Sequence, residues 1–214
     1  MVYMIAMNGC GILTKSCSLS EDALALLETL PGGYNKERII VNNVMRYERY
    51  LDRWIKVAQL NVPRAKFGGV IDPGNRCIDT FRRYNPIMDT WETLEKLPTP
   101  CSLSGLVCVK GKIYAIGGTI ENLYATRDVY RYDLEKNIWV PLQHMIENRF
   151  DPGITTFGSK IYVLSGHDGE NSFYPNIEVY DIETDEWTVL PHLTLPYGRC
   201  RFTCVAMGTK QSGT

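Results

Sequence analysis

The chain has few of the residues from which metal centres and catalytic sites are built. It contains three histidines, and its seven cysteines include no Cys-x-x-Cys pair. Zinc sites need clustered cysteine and histidine ligands, so we predict no zinc and expect the cysteines to be buried, reduced thiols. The histidines, His144, His167 and His192, stand in unrelated loop contexts, and no catalytic triad, phosphate loop or HExxH motif is present. We therefore predict no enzymatic activity, no metal and no cofactor.

Charge and hydrophobicity are also without extremes. Lys and Arg number 23 against 24 Asp and Glu, and the isoelectric point is about 6.3. Such a balance lacks the basic footprint of a nucleic-acid-binding protein. No apolar run approaches the length of a membrane span. The apolar N-terminus lacks the basic segment and cleavage site of a secretory signal. The sequence thus predicts a cytoplasmic chain with neither nucleic acid nor membrane as partner.

What the chain does contain is a repeat, marked by its four tryptophans. Each has a tyrosine seven residues before it, and the pairs are Tyr47 and Trp54, Tyr84 and Trp91, Tyr132 and Trp139, and Tyr180 and Trp187. A glycine stands 21 or 22 residues before each tryptophan, at Gly33, Gly69, Gly118 and Gly166, and the first three follow another glycine (Gly32, Gly68 and Gly117). A period of this length indicates one supersecondary unit copied along the chain, whose copies bury their faces by stacking.

Within the last two units the residue pattern predicts β-strands. Two apolar, β-branched runs end at the glycines, and two further runs alternate with a period of two before the tryptophan opens a short last strand. These four runs are 112–116, 128–133, 160–164 and 176–181. Each unit is therefore predicted to be four antiparallel strands. Glycines are expected where neighbouring backbones crowd, and the tyrosine and tryptophan rings in the wedge between adjacent sheets.

This pattern resembles the kelch repeat, a β-propeller class with four strands in each blade. The resemblance rests on the glycine pair, the tyrosine followed by Asp or Asn, and the tryptophan seven residues after the tyrosine. It is close over residues 92–207, moderate over 55–91 and thin over 32–54. It implies an all-β fold, an incomplete kelch-type β-propeller of about four blades made of four-stranded antiparallel sheets, with a short N-terminal helical segment.

The N-terminus departs from the repeat. Ser18-Leu-Ser-Glu21 has capping-box spacing and helix-forming residues follow it, so a helix is predicted over about 20–30, although a kelch alignment would place a strand at 27–30. The predicted domains are a non-propeller segment at 1–31, a partial propeller at 32–207 and a tail at 208–214.

Two further breaks concern the completeness of the ring. The interval from Trp54 to Trp91 is 37 residues, whereas the later intervals are 48. The second blade is therefore three-stranded, or it borrows a strand from elsewhere, and the register of this repeat stays open. At the other end, a strand predicted over 199–207 either leaves an open edge or pairs near Tyr47–Trp54 to close a small ring. We expect low stability in both cases.

The resemblance also implies where a ligand would bind. In kelch adaptors, the binding face is built by the loops that link blades and by the loops after the glycine pair. The linking slots hold Arg64, Cys101, Arg149 and Arg199, and the post-glycine slots hold Tyr34-Asn35, Thr119-Ile120 and His167-Asp168. Guanidinium groups around one rim would suit the carboxylates of an acidic peptide. The alternative is that the arginines pair with local carboxylates and that the other residues serve the turns.

By resemblance to BTB–BACK–kelch proteins, the chain is expected to be a protein-interaction module, the substrate-recognition part of a cullin-dependent ubiquitin ligase adaptor. Its own partner would be a protein or peptide, with an acidic peptide as the candidate, and cullin would be reached only through a BTB domain outside these residues. Two alternatives stay open: an actin-binding or cytoskeletal scaffold protein of the kelch class, and a truncated fragment without independent function.

Overall fold

The computed structural model describes residues 4–7, 29–34, 36–37, 39–61, 81–85, 87–99, 101, 104–120, 124–170, 172–200 and 204. These ranges contain 14 β-strands and a single 3-10 turn at Arg49–Leu51. The strands are β1 Met4–Met7, β2 Thr29–Tyr34, β3 Ile40–Glu48, β4 Arg53–Val57, β5 Phe81–Asn85, β6 Thr90–Leu94, β7 Gly105–Val109, β8 Lys112–Ile120, β9 Tyr124–Asp133, β10 Ile138–Pro141, β11 Gly153–Phe157, β12 Lys160–Leu164, β13 Asn176–Asp181 and β14 Glu186–Thr194.

The strands form four antiparallel sheets, which we number in the order of their tryptophans. Sheet I has the strand order β2-β3-β4, and sheet II the order β1-β5-β6. Sheets III and IV are four-stranded, with the orders β7-β8-β9-β10 and β11-β12-β13-β14. In every sheet the tyrosine of the repeat lies directly opposite its tryptophan on the neighbouring strand. The predicted all-β architecture is confirmed, with four strands in sheets III and IV.

The N-terminal segment contributes strands to two sheets. Met4–Met7 pairs with β5 in sheet II, so the short second unit does obtain a strand from elsewhere in the chain. Thr29 to Pro31 pair with β3 in sheet I. These two stretches, expected to lie outside the propeller, are therefore parts of its sheets. The division of the chain at residues 31 and 207 stays a prediction, and the tail at 208–214 lies outside the described residues.

The helix predicted over about 20–30 is wrong at its C-terminal end. Thr29 and Leu30 belong to a strand, and the 20–28 part lies outside the described residues. The pairing continues through Pro31 to Tyr34, with a bulge between Pro31 and Gly33. Local helix propensity is worth only tenths of a kcal/mol per residue, so the interstrand hydrogen bonds supplied by β3 outweigh it.

Neighbouring sheets pack face to face through apolar side chains. Between sheets I and II the core is formed by Val44, Val57, Leu60 and Tyr84. Between sheets II and III, Phe81 packs edge-on against Tyr132 at 4.7 Å and tilted against Trp139 at 4.9 Å. Between sheets III and IV the core includes Val107, Tyr114, Ile161, Val163 and Tyr180. The repeated aromatic rings therefore fill the spaces between sheets, as the sequence pattern predicted.

We call each of these three packed interfaces between neighbouring sheets a seam. The same kind of hydrogen bond from a tryptophan joins the two sheets at each seam. The indole Nε1 of Trp91 donates to the carbonyl of Ala58 at 2.8 Å, that of Trp139 to Glu95 at 3.0 Å, and that of Trp187 to Gln143 at 2.8 Å. Every acceptor is the fourth residue after the previous tryptophan. In each segment that links two sheets, the carbonyl of one residue thus accepts a hydrogen bond from the tryptophan of the next sheet.

The N–H of that same residue is bound by an Asp or Asn two positions before the tryptophan. The side-chain oxygens of Asp89, Asn137 and Asp185 accept the N–H groups of Ala58 at 2.8 Å, Glu95 at 2.9 Å and Gln143 at 3.2 Å. They also accept the hydroxyl hydrogens of Tyr84, Tyr132 and Tyr180. We call this set of tyrosine, Asp or Asn, and tryptophan the seam clamp.

The seam clamp needs a special backbone conformation at its central residue. Asp89, Asn137 and Asp185 have φ values of 51°, 53° and 58°. Asp and Asn tolerate this left-handed region better than other residues with a side chain, which explains their choice in a tight turn between two strands. Asp52 in sheet I has the same conformation, with φ of 47°.

The glycine pair also follows from crowding. Gly117 has φ of 60°, and a Cβ at this position would collide with the carbonyl oxygen of Arg149. Gly118 has φ of 116°. Closure of the ring by the strand predicted at 199–207 stays a prediction, because most of that strand lies outside the described residues.

We predict that Trp139→Phe lowers the free energy of unfolding by about 1–3 kcal/mol, because the Glu95 carbonyl loses its donor inside a packed seam. Trp54 occupies the same repeat position in sheet I, but 45% of its surface is exposed. Trp54→Phe is therefore the matched control, with an expected loss of about 0.5 kcal/mol or less. Urea unfolding measures both. Equal losses for the two variants would contradict a larger contribution from the buried position of Trp139.

The clamp tyrosines predict alkaline instability. Burial raises the pKa of Tyr132 to about 12 and, together with the adjacent carboxylates of Asp89 and Asp185, raises the pKa values of Tyr84 and Tyr180 further. A raised tyrosine pKa stabilises the fold fully below about pH 10, and this contribution is lost as the pH rises through the folded-state value. We expect these tyrosines to ionise in one cooperative step together with unfolding, measured by tyrosinate absorbance and circular dichroism. Gradual ionisation without loss of structure contradicts this.

Candidate protein-interaction face

The linking loops and the post-glycine loops meet at one edge of the sheets. The N–H of Gly118 donates to the carbonyl of Arg149 at 2.8 Å, and the N–H of Gly166 donates to the carbonyl of Arg199 at 3.0 Å. The two kinds of slot in which we expected a ligand are therefore neighbours in space. We call this edge of sheets III and IV the loop face.

Arg149 is fully buried and does not reach the surface of the loop face. Its Nε donates to Glu178 at 2.9 Å, Nη1 to the carbonyl of Ser165 at 2.6 Å and Nη2 to the side chain of Asn176 at 2.6 Å. The guanidinium also lies 4.8 Å from the centre of the Tyr174 ring. Our prediction that Arg149 contacts a ligand is therefore wrong: its donors are used within the protein, which is the alternative stated for the arginines.

Glu178 is the partner that the sequence reasoning missed. It is fully buried and accepts the backbone N–H groups of Ile146 at 2.7 Å and Glu147 at 3.2 Å, besides the Arg149 guanidinium. A buried ion pair is tolerated when such hydrogen bonds satisfy its remaining atoms. The sequence did contain a signal that Glu178 would be buried. It lies in strand β13 two residues before Tyr180, so it is on the same face of the strand as that buried ring.

Arg199 repeats the backbone position of Arg149 but has an exposed side chain. Its N–H donates to the Ser165 hydroxyl oxygen at 2.6 Å, and that hydroxyl donates to the Arg199 carbonyl at 2.7 Å. The backbone is thus anchored while the guanidinium faces solvent. Arg199 keeps its place among the candidate binding residues.

His167 is held between two aromatic rings on the loop face. The ring centres of Phe150 and Phe173 lie 4.9 Å and 4.5 Å from that of His167. Its Nδ1 accepts the N–H of Gly169 at 2.9 Å, so the proton of the neutral ring is assigned to Nε2. Since the imidazole contacts both rings, tilted to Phe150 and edge-on to Phe173, it helps to order the loop, and its contact with a ligand stays a prediction.

Asp168 organises the same loop. Its carboxylate accepts the N–H groups of Ser172 at 3.1 Å and Glu170 at 2.8 Å, and the Ser172 bond is the main cause that lowers the pKa of Asp168. These bonds form a turn of the kind that Asp residues commonly stabilise. The carboxylate is therefore engaged with its own backbone.

Seam II–III carries a neutral pair where seam III–IV carries the ion pair. Cys101 takes the position of Arg149, and Tyr130 takes that of Glu178. Cys101 is 5% exposed, and the Tyr130 hydroxyl lies 3.2 Å from the Thr99 hydroxyl. Thr119, in a post-glycine slot, is likewise buried. None of these side chains offers a charge to a ligand.

The remaining predicted binding residues are Tyr34, Asn35 and Arg64. Arg64 and Asn35 lie outside the described residues, and Tyr34 is described only as the last backbone position of β2. Their role in binding stays a prediction.

Three aromatic side chains on the loop face are exposed and were not singled out from the sequence. Tyr124 begins β9, Phe173 precedes β13 and Tyr197 precedes Arg199; they are 66%, 45% and 77% exposed. Ile146, in the linking loop, is 45% exposed. These residues could have been identified from the sequence because they lie in the post-glycine and linking loops, where a ligand was expected to bind. Together with the exposed Arg199, they give this edge both apolar and cationic side chains that a partner can reach.

Metal-binding and membrane-spanning features do not occur in the described ranges. There, no group of three or more Cys, His, Asp and Glu side chains has the arrangement of a metal site. In the same ranges, no helix combines the length and apolar character required to cross a bilayer. Cys101 and Cys108 are buried and form no disulfide.

Comparison with known proteins identifies the repeat. The Kelch motif family matches residues 100–146 and 148–194, which cover sheets III and IV. A solved structure titled "Structure of YjhT", of the kelch β-propeller fold, superposes with a TM-score of 0.63 at 14% identity, covering 81% of this chain and 65% of that one. Residues 100–194 are therefore kelch repeats, and the fold is that of a kelch β-propeller, as the sequence pattern predicted.

Curated relatives combine kelch repeats with other domains. The F-box/kelch-repeat protein At2g44130 of Arabidopsis thaliana is 34% identical over 134 residues, which is 59% of this chain and 32% of that protein. Kelch repeat and BTB domain-containing protein 1 of camelpox virus is 24% identical over 196 residues, which is 84% of this chain and 34% of that protein. The chain thus spans about a third of the length of these relatives.

The contrast between the two arginines gives a test of the site. Arg149→Met leaves the Glu178 carboxylate buried without its cation, and we expect it to cost about 3–5 kcal/mol of unfolding free energy. Arg199→Met changes an exposed side chain and is expected to stay within about 0.5 kcal/mol of the parent. Chemical denaturation distinguishes them, and an Arg149 variant as stable as the Arg199 variant would contradict a structural role for the ion pair.

Proposed function

We propose that this kelch-repeat chain is a protein-interaction module that binds its partner through the loop face, and that it acts as the substrate-recognition part of a ubiquitin ligase adaptor. The observation that supports binding through the loop face is the exposure of Tyr124, Phe173 and Tyr197, which lie in the loops at this edge, as the exposed Arg199 does. Tyrosine and arginine are among the residues that dominate binding energy in protein interfaces, and aromatic residues in general are enriched there.

The frame below these side chains is rigid, which favours binding. The linking loop is held by the buried Arg149–Glu178 pair, and the post-glycine loop by His167 and Asp168. Ordered loops lose little conformational entropy when a partner binds, so a larger share of the contact energy appears as affinity. Under this proposal, Arg149, His167 and Asp168 hold the loops that carry the exposed side chains.

The partner's chemistry follows from the cations that the predicted binding positions offer. With Arg149 buried, the described part of the rim offers Arg199 as the cation of the linking slots. We therefore propose a protein segment with apolar or aromatic side chains beside one carboxylate, rather than a strongly acidic peptide. Arg199 would bind the carboxylate through two parallel N–H bonds.

The adaptor role rests on the domains that accompany kelch repeats in the similar proteins, since the names of those proteins include an F-box or a BTB domain. Under this proposal the chain works in the cytoplasm and joins a ligase through a separate domain of that kind. Joining the chain to the BTB region of a relative tests it directly. A captured partner that becomes ubiquitylated supports the role, and a partner that binds but is never modified contradicts it. Co-sedimentation with actin filaments would instead favour the cytoskeletal alternative.

The loop face is tested by replacing two of its exposed aromatic residues, while Phe173 is kept because its ring packs against His167. We expect Tyr124→Ser and Tyr197→Ser together to weaken binding of a partner captured from cell extract by at least about tenfold, since each large interface side chain contributes on the order of 1 kcal/mol or more. Ile87→Ser with Met88→Ser is the matched control, because these side chains are 75% and 68% exposed in the turn between β5 and β6.

Both variants should unfold at the temperature of the parent within a few degrees, which separates binding from folding. Binding that survives the loop-face variant but is lost in the control would place the interface at the opposite edge. Charge reversal at Arg199, compared with Lys112→Glu at an exposed position distant from the loops, tests the carboxylate contact separately.

A further inference from the structure

Seam I–II contains a buried guanidinium whose donors are not all satisfied. Arg82, in strand β5, is 7% exposed. Among the residues that the structure describes, its Nε and Nη1 have no hydrogen-bond partner. A buried charged group without an acceptor is costly, because the protein interior does not replace its hydration. Such a site needs an acceptor with negative charge.

Comparison with seam III–IV shows what acceptor fits. Arg82 stands two residues before Tyr84, the position that Glu178 takes before Tyr180. In seam III–IV this position holds a carboxylate that receives two backbone N–H groups and a guanidinium. Seam III–IV therefore surrounds this position with donors, and in seam I–II the residue placed there is itself a donor.

The linking segment of seam I–II follows the same course as its counterpart. The N–H of Leu60 donates to the carbonyl of Asn42 at 2.9 Å, as Met145 donates to Arg127 at 3.0 Å. Leu60 is fully buried, like Met145. Because the two linking segments follow the same backbone path, we expect the N–H of Asn61 to point towards Arg82, as the N–H of Ile146 points towards Glu178. The Asn61 N–H and the Arg82 guanidinium then converge where seam III–IV supplies a carboxylate.

The described charged side chains near Tyr84, two residues along the strand from Arg82, are bonded to other partners. Arg46 lies 3.4 Å from Glu48 in an ion pair. Asp89 accepts the Tyr84 hydroxyl at 2.6 Å and the N–H of Ala58. Neither carboxylate is bonded to the guanidinium of Arg82 at Nε or Nη1.

We propose that seam I–II binds a small oxyanion, of carboxylate or phosphate size, against the Arg82 guanidinium. The anion takes the place that the Glu178 carboxylate holds in seam III–IV. This site is separate from the loop face on sheets III and IV and does not depend on the proposed function. The near-complete burial of Arg82 favours a free small anion over a side chain of a protein partner.

The test compares the thermal unfolding of the whole chain and of Arg82→Met in increasing inorganic phosphate or acetate at constant ionic strength. At an anion concentration about 100 times the dissociation constant, binding to the folded state alone raises the parent's unfolding temperature by about 5 °C or more. The methionine variant lacks this added rise and, without the anions, is at least as stable as the parent.

Controls separate specific binding from the general stabilisation that phosphate gives to proteins. Arg83→Met removes the neighbouring arginine, which is half-buried and bonded to Glu92 at 2.6 Å, and should keep the full anion response. Arg82→Lys retains a charge and should show a response weakened about tenfold. An equal rise in the parent and Arg82→Met overturns the proposal. So does a methionine variant that is much less stable without anion, since Arg82 would then have an internal partner.

Discussion

The whole arrangement depends on binding both backbone groups of one linking residue at each seam. Ala58, Glu95 and Gln143 give their carbonyls to a tryptophan and their N–H groups to an Asp or Asn of the next sheet. A linking segment that leaves one sheet would otherwise carry unpaired groups into a packed interface, where each costs on the order of 1–3 kcal/mol. The seam clamp replaces a missing strand partner with two side chains and fixes how one sheet sits on the next.

This constraint explains why the fold was readable from the sequence. The tyrosine and tryptophan must keep one spacing, because they lie opposite each other on paired strands and share the Asp or Asn in the turn between them. The regular interval between tyrosine and tryptophan therefore reflects a physical requirement of the two paired strands and the turn between them. The N-terminus was misread because its strands obey no such spacing: Met4–Met7 and Thr29–Pro31 are specified by their partners β5 and β3, which a local helix pattern cannot reveal.

The binding residues were less predictable for a related reason. Arg149 and Arg199 occupy equivalent slots and share one backbone contact, so the sequence position alone treats them alike. Their difference lies in the next sheet, where Glu178 lies against Arg149 and buries it. The exposure of an arginine is therefore decided by the residues packed against it and not by its position in the repeat. The exposed aromatic residues Phe173 and Tyr197 escaped notice because they belong to loops of irregular length, where no period distinguishes a binding residue from a turn residue.

The three seams show how one frame can carry different chemistry. The position two residues before the clamp tyrosine holds Arg82, Tyr130 and Glu178 in turn, which is a cation, a neutral ring and an anion. The clamp bonds are the same in all three seams, so the sheets stack correctly whichever side chain stands at this position. The requirement on that side chain is only that its polar atoms find partners. Glu178 meets it with backbone N–H groups and Arg149, Tyr130 with the hydroxyl of Thr99, and Arg82 requires an anion from solution.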